Sequence, residues 1–196
     1  KRKFKIVVDA VNSTGGIAVP NLLKKLDVNV VELYCEPNGE FPHNPEPLKE
    51  NLTDLSNLVI KQKADLGIVV DPDVDRLAFV SENGEVFGEE YTLVACADYY
   101  LRNNPGNTVS NLSSSRALKD VAQLNNCSHF FSPVGEVNVV EMMKEKNAVI
   151  GGEGNGGIIL PELHYGRDAL VGIALFLAYL AKLDISCSKL RESYPN

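Results

Sequence analysis

Short apolar runs alternate with amphipathic stretches along this chain, and this alternation constrains the fold more than any other feature. In the first half, three β-prone runs are separated by two stretches of helical character. The runs are 4–8, 28–33 and 66–70, and the helical stretches are 19–25 and 48–61. Repetition of strand, helix and strand requires parallel strands joined by crossover helices. The pattern therefore predicts a mainly parallel sheet covered by helices.

The second half repeats this rhythm after one antiparallel element. The Asn83-Gly84 pair predicts a tight hairpin turn between strands 77–80 and 85–87, at the edge of the first sheet, before a helix over 89–101. Strands then follow at 108–111, near His129, at 148–150 and at 158–160, with helices from about Arg116, over 137–146 and from Ala169. We expect two consecutive small three-layer α/β domains with mixed, mainly parallel sheets. The polar segment 102–107 sets their ranges at 1–102 and 103–196.

Length and composition are consistent with two modest cores, because 196 residues exceed the usual domain size and 44% of them are hydrophobic. The net charge of −7 and the pI near 5.0 argue against nucleic acid or an anionic membrane as a partner. No apolar run approaches the ~18 residues that span a bilayer, so we expect a cytoplasmic protein. Four scattered cysteines without a CxxC pair predict reduced thiols rather than a zinc or disulfide framework.

Three aspartates at alternate positions, Asp71, Asp73 and Asp75, follow the apolar strand 66–70 directly, and Arg76 comes next. Three negative charges this close repel one another unless a cation relieves them, and carboxylate oxygens suit Mg²⁺ or Ca²⁺. Open α/β sheets bind their ligands at the carboxyl ends of the strands. The segment therefore predicts a cation site with a phosphate-handling arginine beside it.

Rival interpretations of the acidic segment remain open. Asp71, Asp73, Asp75 and Glu82 have the spacing of EF-hand calcium ligands, but Arg76 stands where that loop needs glycine. A strand ending in Asp71-x-Asp73 also resembles haloacid dehalogenase-like phosphatases, with the first aspartate as nucleophile. The later paired-aspartate loop of those phosphatases is not visible. A solvated acidic turn is the simplest alternative.

A glycine-rich segment, 151–157, carries Glu153 and Asn155 among its glycines. It fits the GxGxxG pattern, but the residues that follow are β-prone where a dinucleotide fold needs a helix, so a dinucleotide site is rejected. Glycines let a ligand approach the backbone closely, and a carboxylate can bridge two vicinal hydroxyl groups. A sugar site and a plain glycine hairpin are both compatible with this segment.

Together these segments resemble the second and third domains of the α-D-phosphohexomutases, which include phosphoglucomutases, phosphomannomutases and phosphoglucosamine mutases. The resemblance covers nearly the whole chain. It rests on five segments in the family's order: 5–9 with 12–16, 43–47 with 51–52, 71–76, 132–137 and 151–157. It implies a phosphoglucomutase-like fold and an isomerase, an intramolecular phosphotransferase, of carbohydrate metabolism that moves phosphate between O1 and O6 of a hexose.

The resemblance also implies roles for individual residues. Asp71, Asp73 and Asp75 would bind Mg²⁺, Arg76 would be catalytic, and Glu153 and Asn155 would bind the hexose phosphate or bisphosphate. The phosphoserine of this phosphoprotein family lies in the first domain and a phosphate-gripping loop in the fourth, and neither resembles any part of this chain. We therefore expect a fragment that lacks those two domains and is inactive alone. A non-catalytic, metal-dependent sugar-phosphate binding module is the alternative of a different class.

The chain departs from the family pattern at three positions of the sugar side. Asn155 stands for the usual serine, Gly157 for the usual histidine, and Pro133 for a lysine that several members use to bind substrate. Which hexose is used therefore stays open. Of the residues that follow, Asp168 is expected to cap the helix that begins at Ala169, and the sequence assigns Arg167 no definite role.

Overall fold

The computed structural model describes residues 3–195 and divides them into two compact units. The first unit contains the chain up to Gly88 together with the segment from Leu180 onward. The second unit is Glu89–Tyr179. Each unit has a four-stranded sheet, and the two sheets share one strand order, in which the first strand of the unit lies second from an edge.

Strands and helices alternate in the first unit as predicted. Its elements are β1 (Lys5–Asp9), α1 (Gly15–Lys25), β2 (Asn29–Leu33), a 3-10 turn (Lys49–Asn51), α2 (Thr53–Gln62), β3 (Leu66–Val70) and β4 (Leu77–Ser81). The strand order is β2-β1-β3-β4, parallel except for the antiparallel β3–β4 pair. Leu55 and Val59 of α2 pack against Val7, Val69 and Val80 of the sheet. Both faces of β3 are buried, as in other helix-covered parallel sheets.

Two local details of the first unit differ from the sequence prediction. Helix α1 begins at Gly15, four residues before the predicted start. A side chain at Gly16 would meet the carbonyl oxygen of Cys35 at 2.2 Å, so only glycine lets this helix lie so close to the loop after β2. In the hairpin, residues 85–87 form one antiparallel bridge, Val80 to Val86, and do not form a strand. Gly84 has φ +83°, the positive value that the Asn-Gly turn predicts.

Helix α7 (Cys187–Glu192), near the end of the chain, packs against β4 of the first unit. Cys187 and Leu190 supply its buried face. The carboxylate of Glu82, which follows β4, accepts hydrogen bonds from the backbone N–H and the hydroxyl of Ser188. A negative charge there is favourable because the first N–H groups of a helix lack partners within the helix.

The second unit is a second α/β sheet. Its elements are α3 (Glu89–Leu101), β5 (Asn107–Asn111), α4 (Ala117–Leu124), β6 (His129–Ser132), α5 (Glu136–Glu145), β7 (Ala148–Gly152), β8 (Ile158–Ile159) and most of α6 (Ala169–Leu183). The order is β6-β5-β7-β8, with β8 antiparallel at the edge. The predicted fold class is confirmed in both units. Among residues 3–195, no helix combines the length and the apolar character that crossing a membrane requires.

The units divide at different positions from the predicted ranges 1–102 and 103–196. Helix α3 was expected in the first domain, but it packs against α4 and β7 of the second unit and buries Thr92 through Asp98. Residues from Leu180 onward were expected in the second domain but belong to the first unit. Local turn signals do not reveal either fact, because both depend on contacts between residues far apart in sequence.

We expect one histidine of the second sheet to make the stability of the chain depend on pH. Burial, together with the charge of Lys119, lowers the pKa of His129 to about 4, and its ring nitrogens lie 2.9 Å from Thr108 Oγ1 and 3.3 Å from Ser110 Oγ. The unfolded chain therefore gains a proton at His129 near pH 6.5, before the folded chain does. We expect the contribution of His129 to stability to be complete above pH 6.5 and to be lost progressively down to about pH 4.

The substitution His129→Gln keeps a polar side chain at this position but cannot titrate. We therefore expect the difference in unfolding free energy between wild type and variant to change between pH 6.5 and pH 4 and to stay constant above pH 7. Denaturant unfolding of both proteins across this range measures the difference. If the unfolding free energies of wild type and variant differed by the same amount at every pH, His129 would not be kept neutral by its surroundings.

Candidate functional site

The acidic loop, residues 71–76, leaves the carboxyl end of β3 in the first unit. One carboxylate oxygen from each of Asp71, Asp73 and Asp75 lies within 4.8 Å of the others. Strand β1, parallel to β3 and next to it, ends at Asp9 on the same edge. The structure thus brings the three predicted ligands together at the edge where α/β sheets bind their ligands.

Asp71 organises the loop and has the most perturbed carboxylate in it. Its side chain is 8% exposed, and its Oδ1 accepts hydrogen bonds from the N–H groups of Asp75 and Arg76, both at 3.0 Å. Burial, with the neighbouring charges of Asp75 and Asp73, raises the pKa of Asp71 to about 7, although the Arg76 N–H acts in the opposite direction. The cluster therefore carries more negative charge than its protein surroundings balance. Three hard oxygen donors in such a cluster fit a divalent cation.

The backbone of the loop is held in a turn from two sides. Val74 has φ +62°, unusual for a β-branched residue, and its N–H donates to the carbonyl oxygen of Asp71 at 3.2 Å. From the turn after β1, the hydroxyl of Thr14 donates to the carbonyl oxygen of Pro72 at 2.9 Å. These contacts keep Asp73 and Asp75 near Asp71. Uncommon backbone angles of this kind concentrate at functional sites.

Arg76 lies between two carboxylates of the first unit. Its Nε is 3.7 Å from Asp71 Oδ2, and its Nη1 donates to Glu46 Oε1 at 3.3 Å. Glu46 belongs to segment 43–47, one of the segments on which the family resemblance rests. The guanidinium is a third exposed, so it can also reach an anion from solution. Sequence reasoning identified Arg76 but not the contact with Glu46.

The EF-hand interpretation is wrong for this loop. Glu82, which would be the last calcium ligand, binds instead to Ser188 at the start of α7. The acidic segment also connects two antiparallel strands, β3 and β4, and not two helices. Its cluster consists of the three aspartates alone among the residues that the structure describes.

A contact between the half-buried His43 and the buried Asp9 fixes segment 43–47. His43 Nε2 lies 3.0 Å from Asp9 Oδ2, and His43 Nδ1 lies 2.8 Å from the carbonyl oxygen of Asn44. Asp9 also accepts the Val11 N–H, and burial raises the pKa of its carboxyl group. Because the carbonyl oxygen of Asn44 can only accept a hydrogen bond, His43 Nδ1 must carry a proton. This pair was not predicted, because His43 and Asp9 are 34 residues apart.

In the second unit, the glycine-rich segment forms the turn between β7 and β8, as expected for a hairpin. Glu153 is buried, and its Oε1 accepts from Asn111 Nδ2 at 2.8 Å and from the Gly135 N–H at 3.3 Å. Its Oε2 accepts from Arg167 Nη1 at 3.1 Å. The carboxylate is thus tied to three other segments of the second unit.

Asn155 shapes the same turn. Its Oδ1 accepts the N–H of Gly157 at 3.2 Å, and Gly156 between them has φ +86°. The amide nitrogen of Asn155 is the part of the side chain that this contact leaves for other partners. Asn155 and Glu153 therefore lie in one turn, at the carboxyl end of β7.

Asp168 caps helix α6 as predicted. Its Oδ1 accepts the N–H groups of Leu170 at 2.8 Å and Val171 at 3.1 Å. His164 Nε2 lies 3.0 Å from the other carboxylate oxygen. These contacts account for His164 and Asp168 as a structural pair that fixes the start of α6.

Two models of one protein family match the chain. Residues 1–84 match the family described as phosphoglucomutase/phosphomannomutase, alpha/beta/alpha domain II, and residues 88–196 match domain III of the same family. The boundary between the matches lies next to Gly88, where the first of the two segments of the first unit ends.

Curated relatives and solved structures agree with these matches. A phosphoglucomutase/phosphomannomutase of Thermococcus kodakarensis is 36% identical over the whole of this chain, and a probable phosphoglucosamine mutase of Methanopyrus kandleri is 32% identical over 98% of it. The crystal structure of a phosphoglucomutase/phosphomannomutase family protein from Burkholderia thailandensis matches with a TM-score of 0.92, at 30% identity over the whole chain. The chain spans 43% of the length of each of these three proteins.

Proposed function

This chain belongs to the phosphoglucomutase/phosphomannomutase family, and we propose that it is the metal-binding and sugar-binding part of a Mg²⁺-dependent phosphohexomutase. The reaction would move a phosphoryl group between O1 and O6 of a hexose phosphate, through a hexose bisphosphate. The phosphoserine that donates the group would lie outside residues 1–196. The acidic loop is the observation that carries the proposal, because it gathers three carboxylates within 4.8 Å of one another and places the guanidinium of Arg76 beside them.

In the first unit, the chain supplies positioning and charge. Asp71, Asp73 and Asp75 would hold Mg²⁺, which supplies positive charge next to the phosphoryl group when bound. Arg76 would donate hydrogen bonds to oxygens of the transferring group. Asp71 and Glu46 orient the guanidinium from two sides. Such fixed donors stabilise the charge that develops during phosphoryl transfer without having to reorganise.

In the second unit, the chain would hold the sugar. Glu153 would accept hydrogen bonds from sugar hydroxyls, and the Asn155 amide would donate to one. The glycines beside them leave the backbone accessible at the turn between β7 and β8. Neither residue takes part in a proton transfer. Their role is to fix the hexose in one orientation.

The proposal is tested by comparing the intact protein with this chain. We expect the intact protein to interconvert hexose 1-phosphates and hexose 6-phosphates of glucose, mannose or glucosamine, with Mg²⁺ and a bisphosphate activator. We expect the isolated chain to show no turnover, because the donor serine is absent. Coupled assays on both proteins measure this difference.

The same assays separate the alternatives. Phosphate release by the isolated chain, abolished by Asp71→Asn, would favour a dehalogenase-like phosphatase. An intact protein that binds hexose phosphates in the presence of Mg²⁺ but never interconverts them would instead be a sugar-phosphate binding module.

A further inference from the structure

Arg167 lies in a cluster of charges that the sequence did not predict. Its Nη1 donates to Glu153 Oε2 at 3.1 Å, its Nε lies 3.3 Å from Glu136 Oε2, and its backbone N–H donates to Glu136 Oε1 at 3.2 Å. The side chains of Arg167 and Glu153 are 14% and 8% exposed. Glu136 thus holds Arg167 at two points, and Arg167 holds Glu153 at a third.

This cluster contains two carboxylates and one guanidinium, and the guanidinium is shared between them. A carboxylate as buried as that of Glu153 is unfavourable without a charged or strongly hydrogen-bonding partner. The other donors to Glu153, the Asn111 amide and the Gly135 N–H, are neutral. Arg167 therefore supplies the positive charge that faces this buried carboxylate.

The hydrogen bonds of Glu153 also indicate where a ligand can bind. Each carboxylate oxygen accepts about two hydrogen bonds. Oε1 already accepts two, from Asn111 and Gly135. Oε2 accepts one, from Arg167, so one acceptor position on Oε2 is left among the contacts of the described residues. Arg167 thus fixes the oxygen that a sugar hydroxyl would reach.

Gly157 makes room for Arg167. A Cβ atom at this position would lie 2.4 Å from Cδ and 3.0 Å from Cγ of Arg167, too close for either atom to stay in place. The φ angle of Gly157 is not in the positive region that favours glycine. Space, and not backbone freedom, therefore requires glycine here. The aliphatic part of Arg167 occupies the space that a side chain at 157 would need.

We propose that Arg167 is a positioning residue of the sugar site. It pairs with the Glu153 carboxylate and directs Oε2 toward the ligand, and Glu136 in turn fixes Arg167. The inference rests on the proposed sugar-binding role of Glu153, and it assigns to Arg167 and Glu136 a function that acts through that residue.

Kinetics of the full-length enzyme test this role. We expect Arg167→Gln to raise KM for the hexose phosphate and lower kcat/KM on the order of thirtyfold, because Glu153 loses both its charge partner and its orientation. Arg167→Lys keeps the charge but not the two-sided contact, so it should recover part of the loss. Arg116→Gln is the matched control, because Arg116 is 77% exposed and pairs with Asp120 on α4. The thermal midpoint of each variant confirms that it is folded.

Glu153→Gln, measured in parallel, separates failure of this inference from failure of the proposed function. If Glu153→Gln leaves KM and kcat/KM unchanged, the sugar-binding role of Glu153 is wrong and the role of Arg167 falls with it. If Glu153→Gln impairs kcat/KM while Arg167→Gln behaves like Arg116→Gln, the sugar site stands and the positioning role of Arg167 is overturned.

A double-mutant cycle on the 196-residue chain tests the geometry without any activity assay. Gly157→Ala should destabilise the chain when Arg167 is present and have little effect in the Arg167→Ala background, because the colliding atoms are then gone. Unfolding in denaturant gives the four stabilities. Additive effects would show that Arg167 does not lie over Gly157, and would overturn the proposal. If Arg167→Ala does not fold, the same cycle is run with Arg167→Ser in the full-length enzyme, with thermal unfolding as the readout.

Discussion

Replacing Arg76 by alanine in the full-length enzyme should lower kcat by on the order of a hundredfold or more, which is about 2.7 kcal/mol of transition-state stabilisation. The guanidinium lies at the carboxyl end of β3 between Asp71 and Glu46, and it would contact the phosphoryl group where negative charge develops. An interaction made mainly in the transition state affects kcat and kcat/KM together. Steady-state kinetics with a hexose 1-phosphate measure both constants.

Glu46→Gln is the informative comparison for Arg76. Glu46 is half exposed, and exposed ion pairs contribute about 0–1 kcal/mol, so its removal should lower kcat by no more than about fivefold. The kcat of Arg76→Lys should lie between the values of Arg76→Ala and Glu46→Gln, since lysine keeps the charge but cannot form two parallel hydrogen bonds. A folded Arg76→Ala enzyme with kcat within threefold of wild type would contradict the role proposed for this arginine.

The substitution Asp71→Asn should have the largest effect of any single change in the chain. We expect kcat in the full-length enzyme to fall on the order of a thousandfold and the Mg²⁺ concentration for half-maximal activity to rise at least tenfold. Asparagine keeps an oxygen that accepts the N–H groups of Asp75 and Arg76, so the loop should keep its shape. The loss would therefore report the missing charge and not a collapsed turn.

Two further variants complete this experiment. Asp71→Ala removes the acceptor as well as the charge, so it should lower the thermal midpoint more than Asp71→Asn does. Asp27→Asn is the control, because Asp27 is an exposed aspartate of the same unit. If Mg²⁺ dependence were the same in wild type and Asp71→Asn, the acidic loop would not be the metal site.

The acidic loop could be predicted from the sequence because its essential parts are contiguous. Asp71, Asp73, Asp75 and Arg76 lie within six residues, directly after a strand whose burial is evident from its composition. Most hydrogen bonds of the turn that brings them together are local, and the bond from Thr14 to Pro72 is the exception. The strands and helices were predictable for a similar reason, since their periodicity is a local property of the chain.

The partners of Glu153 could not be predicted in the same way. Asn111, Gly135 and Arg167 reach it from 42, 18 and 14 residues away, and only the packing of the sheet brings them to one carboxylate. Arg167 received no role because a single arginine before a helix cap has many ordinary explanations. The glycine at position 157, where the family usually has histidine, was the one sequence signal that pointed to Arg167. It could not be interpreted before the position of the Arg167 side chain was known.

The attachment of α7 to the first unit has a practical consequence for dissecting this protein. The sequence of that unit is discontinuous, with the whole of Glu89–Tyr179 inserted between its two parts. An expression fragment that stops at residue 88 would leave the surface of β4 that Cys187 and Leu190 cover open to solvent, and Glu82 without Ser188. The first unit would therefore be better isolated by joining its two parts through a short designed linker than by truncation at a family boundary.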